Sequence, residues 1–294
     1  MKISYYPGCT LKTKGKNLED SAVASMTALG IEFEELPRWN CCGAVHSLAD
    51  DDLIHQVAPV RDLIRVLEQG SQKVVTLCSM CYNSLARANF LMREDAEKRK
   101  TINDFMDEER DYHGEVEVIH FLNLLRDEIG WDTLRKKIKI ALKDLKVAPY
   151  YGCTLLRPRD VAIEPIWGLK ILKDFVETVG ATVVDFPETS RCCGSYQILG
   201  NPQAAKETAA SILGSALKRG AEALVLSCPL CEFNLGRKQD NLLKENRIPR
   251  KIPTFYFTQL LALALGLDPE VCRFELNDRA SHELLGKKGF LKKP

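Results

Sequence analysis

Short apolar runs rich in β-branched residues alternate along this chain with longer stretches whose apolar positions recur at helical spacing. Residues 3–6, 31–36, 73–77 and 115–120 read as strands, as do 147–151, 182–186, 222–227 and 252–257. Between them, Asp51 to Gln69 places Val57, Val60, Leu63, Ile64 and Leu67 on one helical face before Gly70. Pro202 to Arg219 repeats the device with Ile212, Leu213, Ala216 and Leu217 before Gly220. Strand–helix alternation of this kind predicts an α/β protein with parallel sheets flanked by helices. Residues 95–115 are charge-rich and lack a counterpart in the second half, so they read as a solvated insertion. The basic stretch Lys287 to Pro294 reads as a frayed end.

The two halves echo each other. ISYYPGCTLK at 3–12 returns as APYYGCTLLR at 148–157, and VVTLCSMCYNSL at 74–85 returns as LVLSCPLCEFNL at 224–235. A period near 150 residues is far longer than a solenoid repeat and indicates a duplicated domain. Two pseudo-symmetric domains are therefore expected, at 1–145 and 146–294, each a parallel sheet flanked by helices.

Composition narrows the function classes. The 294 residues are 45% hydrophobic and 28% charged, as in ordinary globular domains. A net charge of +1 gives no electrostatic case for nucleic acid or an acidic membrane surface. The start lacks the apolar core of a secretory signal, and the greasy run Phe255 to Leu267 is too short to span a bilayer. The expected compartment is the cytoplasm, where clustered thiols more often bind metal than form disulfides.

Ten of the eleven cysteines fall into two copies of one pattern. The first is Cys9, Cys41-Cys42-Gly43 and Cys78-x-x-Cys81; the second is Cys153, Cys192-Cys193-Gly194 and Cys228-x-x-Cys231. Each set follows or closes a strand, so both should collect at the carboxyl ends of parallel strands, where open α/β sheets bind ligands. Helices expected after Cys81 and Cys231 would aim positive amino ends at the same place. Adjacent cysteines have Cα atoms about 3.8 Å apart, too close for an unstrained disulfide. To aim both thiols at one site the backbone must turn, which the following glycine permits. Structural zinc takes four ligands and leaves the fifth cysteine of each set unexplained, so ligand number favours iron–sulfur. A thioredoxin-like reading of the Cys-x-x-Cys pairs leaves the other six patterned cysteines without a role. Cys272 stands outside both patterns and reads as buried filler.

The doubled motif, covering nearly the whole chain, resembles the cysteine-rich CCG domains of the heterodisulfide reductase family, in particular its B-type subunits. The resemblance implies a noncubane [4Fe-4S] cluster on Cys9, Cys41, Cys42, Cys78 and Cys81, and a second on Cys153, Cys192, Cys193, Cys228 and Cys231. It implies an enzyme that reduces the coenzyme M–coenzyme B heterodisulfide to two thiols, each cluster delivering one electron. Implied partners are the flavin-containing subunit of such a complex, its small subunit with cubane clusters and, in a hydrogen-dependent assembly, a hydrogenase. Related domains occur in iron–sulfur subunits of flavin dehydrogenases for glycolate and of succinate and fumarate enzymes, so an electron-relay subunit is the alternative. A zinc-stabilised scaffold without turnover is the third reading.

An anionic substrate calls for basic groups. Lys12, Lys14, Arg38, Arg157, Arg159 and Arg191 lie within a few residues of the patterned cysteines and are candidates for substrate contacts. His46 is the best-placed histidine for proton donation. Tyr5, Tyr6, Trp39, Tyr82, Tyr150, Tyr151 and Tyr196 are expected to shield the site from water.

Overall fold

The computed structural model describes residues 2–43 and 53–291. Its first sheet contains β1 (Lys2–Tyr6), β2 (Glu32–Glu35), β3 (Lys73–Thr76) and β4 (Glu117–His120). The second contains β5 (Lys146–Pro149), β6 (Thr182–Val183), β7 (Ala223–Leu226) and β8 (Thr254–Tyr256). All pairings are parallel, and the orders β2-β1-β3-β4 and β6-β5-β7-β8 are the same topology twice. The protein is therefore an α/β fold of two flanked parallel sheets, as the alternation predicts. Every expected strand is present, shortened by a residue or more at its ends in most cases.

Strand burial follows from this architecture. In β7 all four residues are buried, and in β3 Val74, Val75 and Thr76 are. A strand covered by helices on both faces cannot alternate in polarity, so these segments are continuous apolar runs. The order of each sheet also fixes where a ligand belongs. The chain leaves β1 in one direction and β3 in the other, which opens a crevice at their carboxyl ends.

Helix Ile54–Glu68 and helix Pro202–Lys218 match the two amphipathic stretches. The charge-rich segment 95–115 is largely exposed, as expected, but it is ordered and anchored. Helix Ala96–Phe105 occupies it, Ile102 and Met106 are buried, and buried Tyr112 donates its hydroxyl to Asn89 Oδ1. The charges of this segment conceal a thin apolar seam that packs beneath them. The tail is likewise tied down as far as it is described: Leu291 is buried, and Lys288 Nζ pairs with Glu222 at 2.8 Å.

The halves share a core. Phe121, just past β4, meets Phe257, just past β8, with ring centroids 5.6 Å apart. Helix Phe257–Ala264 lies against helix Lys16–Ala28 of the other half, where Ser21 Oγ donates to Thr258 Oγ1 at 2.7 Å. A seam of aromatic rings and buried hydroxyls resists separation, since parting it would expose both to water.

Candidate cluster site

The cysteines of each half gather where the crevice opens. Cys9 follows β1, and Cys78 follows β3 after Leu77. The expected helices begin earlier than the sequence suggests: helix Ser79–Glu94 starts directly after Cys78, and helix Pro229–Glu232 directly after Cys228. Cys81 and Cys231 therefore sit within a first helical turn rather than ahead of it. Backbone amides of these first turns favour thiolates: that of Cys81 faces the Cys78 thiol, and those of Cys231 and Leu230 face Cys228.

Two glycines make the approach possible. Gly8 has φ +74°, and a Cβ on it would lie 2.7 Å from Cys81 Sγ. Gly152 has φ +68°, and its Cβ would meet Cys231 Sγ at 3.4 Å. Gly43 and Gly194, at φ +70° and +83°, turn the backbone after each cysteine pair in the left-handed region that other residues avoid.

The Cys-Cys-Gly turns are anchored from behind by matching tyrosines. Tyr6 Oη donates to Asn40 O at 2.7 Å, and Tyr150 Oη donates to Arg191 O at 2.6 Å. In each case the acceptor is the carbonyl just before the cysteine pair. Asp62 adds a second tether in the first half, accepting from Asn40 N at 2.6 Å. Burial pushes this carboxyl up to about 8, and its other oxygen has no partner among the described residues. Shielding, the role the sequence suggests for the tyrosines, is therefore incomplete for Tyr6 and Tyr150, which also anchor. The signal for anchoring is the repeated Tyr-Tyr ahead of each Gly-Cys.

All eleven cysteines are free thiols, and the ten patterned ones form one unbroken line. Cys41 Sγ lies 3.6 Å from Cys9 Sγ and hydrogen-bonds Cys42, whose Sγ lies 3.6 Å from Cys81 Sγ. The Cys81 thiol interacts with that of Cys78, and Cys78 in turn with Cys228 of the other half. The line then runs back through Cys231, Cys193, Cys192 and Cys153. At one end Cys9 and Cys41 are exposed, at the other Cys192 and Cys153 are half-buried, and the middle is buried. Cys272 is elsewhere, fully buried, with its thiol 3.5 Å from Gln259 O and burial raising it to about 12.

So many thiols cannot all ionise unaided. Hydrogen bonding to Cys42 and then Cys78, together with burial, holds Cys81 well above the ordinary thiol value. Cys193 and then Cys228 do the same for Cys231. Packed anions repel, and bound cations are what would let every thiol become a thiolate. The donor set therefore fits a metal-containing group. Among the described residues no three His, Cys, Asp or Glu side chains converge as a single-ion site. The thiols are strung in a line of neighbours, a shape that a polynuclear core spans and one tetrahedral ion does not.

Most basic candidates are engaged by the protein. Lys12 Nζ pairs with Glu19 at 2.6 Å and Glu35 at 2.5 Å, and Arg38 pairs with Glu68 at 2.9 Å. Arg157 Nη1 donates to Ser190 O at 3.0 Å, which ties the Cys153 loop to the Cys192 loop. Arg191 Nη1 donates to Ser211 Oγ at 2.9 Å, and the Arg159 guanidinium lies over the Trp167 ring. Lys14 lines a cleft with Thr10, Leu230, Phe233 and Arg237, adjoining both cysteine sets. His46 lies outside the described residues.

Comparison with known proteins agrees with this geometry. The CCG cysteine-rich domain family matches residues 3–86 and 147–236, so both cysteine sets fall inside it. The 8-methylmenaquinol:fumarate reductase membrane anchor subunit of Wolinella succinogenes is 32% identical over 90% of this chain and 93% of its own. The B-type subunit of the ferredoxin/F420H2-dependent CoB-CoM heterodisulfide reductase of Methanosarcina acetivorans is 29% identical over 97% of this chain and 96% of its own. A hypothetical protein from Helicobacter pylori shares the fold, with a TM-score of 0.73 at 12% identity. That match covers 94% of this chain and about half, 51%, of the Helicobacter structure. Among the described residues no helix is long and apolar enough to cross a membrane. With both halves matched, the chain belongs to the CCG cysteine-rich domain family, and over nearly its whole length it is similar to the B-type subunits of heterodisulfide reductase.

Proposed function

We propose that this chain is the catalytic iron–sulfur subunit of a heterodisulfide reductase, reducing the coenzyme M–coenzyme B disulfide to two thiols. The observation that carries the reading is the line of ten thiols, whose two sets meet at Cys78 and Cys228. Cleaving a disulfide consumes two electrons and two protons and releases two thiols. Two noncubane [4Fe-4S] clusters, one per cysteine set, would supply those electrons singly when bound.

In this reading the residues around the sets hold and orient. Tyr6, Tyr150 and Asp62 fix the Cys-Cys-Gly turns, and the buried middle of the line keeps water from the junction. The exposed Cys9 and Cys41 mark the side from which a small disulfide would enter. Residues 1–145 and 146–294 are taken as the two CCG units. A flavin-bearing subunit and a cubane-bearing subunit are the proposed partners, in a cytoplasmic complex.

The fumarate reductase relative supports a second reading, in which the same clusters relay electrons for a flavin dehydrogenase. Anaerobically purified full-length protein distinguishes the readings. Iron and sulfide without zinc support either iron–sulfur role, whereas zinc without iron overturns both. Turnover of the coenzyme disulfide by the reduced chain, with none of fumarate or glycolate, favours the first. As a control, Cys272→Ala should leave iron content unchanged, and Cys153→Ser should lower it.

A further inference from the structure

We infer that Ser79 and Ser227 form a positioning pair that fixes how the two cluster sites face each other. The inference rests on the proposed iron–sulfur reading. Ser79 follows Cys78, and Ser227 precedes Cys228, so each hydroxyl is one residue from the cysteine at which the two sets meet. The two Oγ atoms lie 2.5 Å apart, and Ser79 N also donates to Ser227 O at 3.4 Å. Ser79 is 0% and Ser227 1% exposed, so neither hydroxyl has water as an alternative partner. The two serines, 148 residues apart in sequence, bridge the two halves.

Surrounding contacts run across the same seam. Asn83 Nδ2 donates to Thr154 O at 2.8 Å and to Arg157 O at 2.7 Å, and Tyr82 Oη donates to Val161 O at 2.9 Å. These bonds hold helix Ser79–Glu94 against the Cys153 loop. Of these cross-seam bonds, the serine pair is the one that adjoins Cys78 and Cys228 themselves. A change in its length therefore passes directly into the separation of the two thiols. Reducing one disulfide needs two single-electron deliveries to one small molecule. Separation of the two centres is then a catalytic variable in the same sense as the orientation of any two reacting groups.

A three-variant comparison on full-length, anaerobically loaded protein tests this. In Ser227→Ala the Ser79 hydroxyl loses its partner. In Ser79→Ala/Ser227→Ala both hydroxyls are gone and no buried group is stranded, so the fold should tolerate it. Ser227→Thr keeps the hydroxyl. The readouts are iron per chain, thermal midpoint, the magnetic interaction between the two reduced centres by paramagnetic resonance, and KM against kcat.

The expected result for the double variant is an unchanged iron content and a near-native midpoint. Its magnetic interaction should differ from the parent, and kcat should fall about tenfold with KM held. The threonine variant should restore both. An unaltered magnetic interaction in the double variant overturns the inference alone. Two centres that show no interaction in the parent protein also overturn it. A chain that takes up no iron overturns the functional reading together with it.

Discussion

Tyr6 reaches past its own strand to donate its phenolic hydrogen to the carbonyl of Asn40, 2.7 Å away, directly ahead of Cys41. The ring is fully buried, so Phe at this position would keep the packing and remove only the donor. Asn40 itself lies at the surface, so water can replace the phenol and the loss is that of an ordinary hydrogen bond, about 0.5–1.5 kcal/mol. Tyr6→Phe should therefore lower unfolding free energy by that amount, and iron uptake by the first cysteine set should slow relative to the second. Denaturant unfolding and a time course of iron loading measure both. Equal loading rates for the two sets would remove the anchoring role.

Gly8 and Gly152 occupy matching places with different clearance. Both have positive φ, so alanine carries roughly 1–2 kcal/mol of backbone strain at either. At Gly8 the added carbon would also lie 2.7 Å from the Cys81 sulfur, against 3.4 Å between Gly152 and Cys231. Gly8→Ala should reduce bound iron to about half, as one set fails to assemble. Gly152→Ala should bind nearly the full amount while losing some stability. Elemental analysis beside a melting curve decides between these outcomes.

Lys12, a candidate for substrate contact by sequence, sits between two carboxylates. Its partner Glu19 is almost completely buried, and Lys16 is the other cation on that carboxylate, at 2.7 Å. Lys12→Met should then cost on the order of 2 kcal/mol of stability, since a buried carboxylate loses one of two cations. The KM for the disulfide should be unchanged. A raised KM at unchanged stability would return Lys12 to the substrate.

His120 gives the stability of the protein a pH dependence. The imidazole is fully buried, its Nε2 lies 3.0 Å from Leu77 O, and its Nδ1 accepts from Leu122 N. Burial holds it down to about 3. Between that value and about 6.5 the unfolded chain binds a proton that the folded one does not. The contribution is thus complete above about pH 6.5 and is lost as pH falls towards 3. At pH 5 the loss should be about 2 kcal/mol. Unfolding at pH 7 and pH 5 should show that extra decline in the parent and not in His120→Asn; parallel declines would argue against it.

The strands and the two long amphipathic helices are legible in the sequence because their signals are local. A continuous apolar run such as Ala223–Leu226 can hardly be anything but a covered strand, and a stripe such as Val60, Leu63 and Ile64 has to face a core. The segment 95–115 is legible only in part: its solvated charges are evident, but isolated apolar anchors such as Ile102 and Tyr112 give no periodic signal. The basic residues near the cysteines mislead for a related reason. Proximity in sequence to Cys9 or Cys192 does not reveal that Lys12 and Arg191 already have carboxylate and hydroxyl partners.

By itself the sequence determined the α/β class, the duplication, the doubled five-cysteine pattern and the glycines that let each pair turn. All of these depend on residue type and spacing, which a linear text records. Only the tertiary structure decided that the two cysteine sets touch, that Cys78 and Cys228 are the point of contact, and that Ser79 and Ser227 join there. Contacts between residues some 150 positions apart arise from how two sheets pack, and that depends on the combined burial of many side chains rather than on any local run.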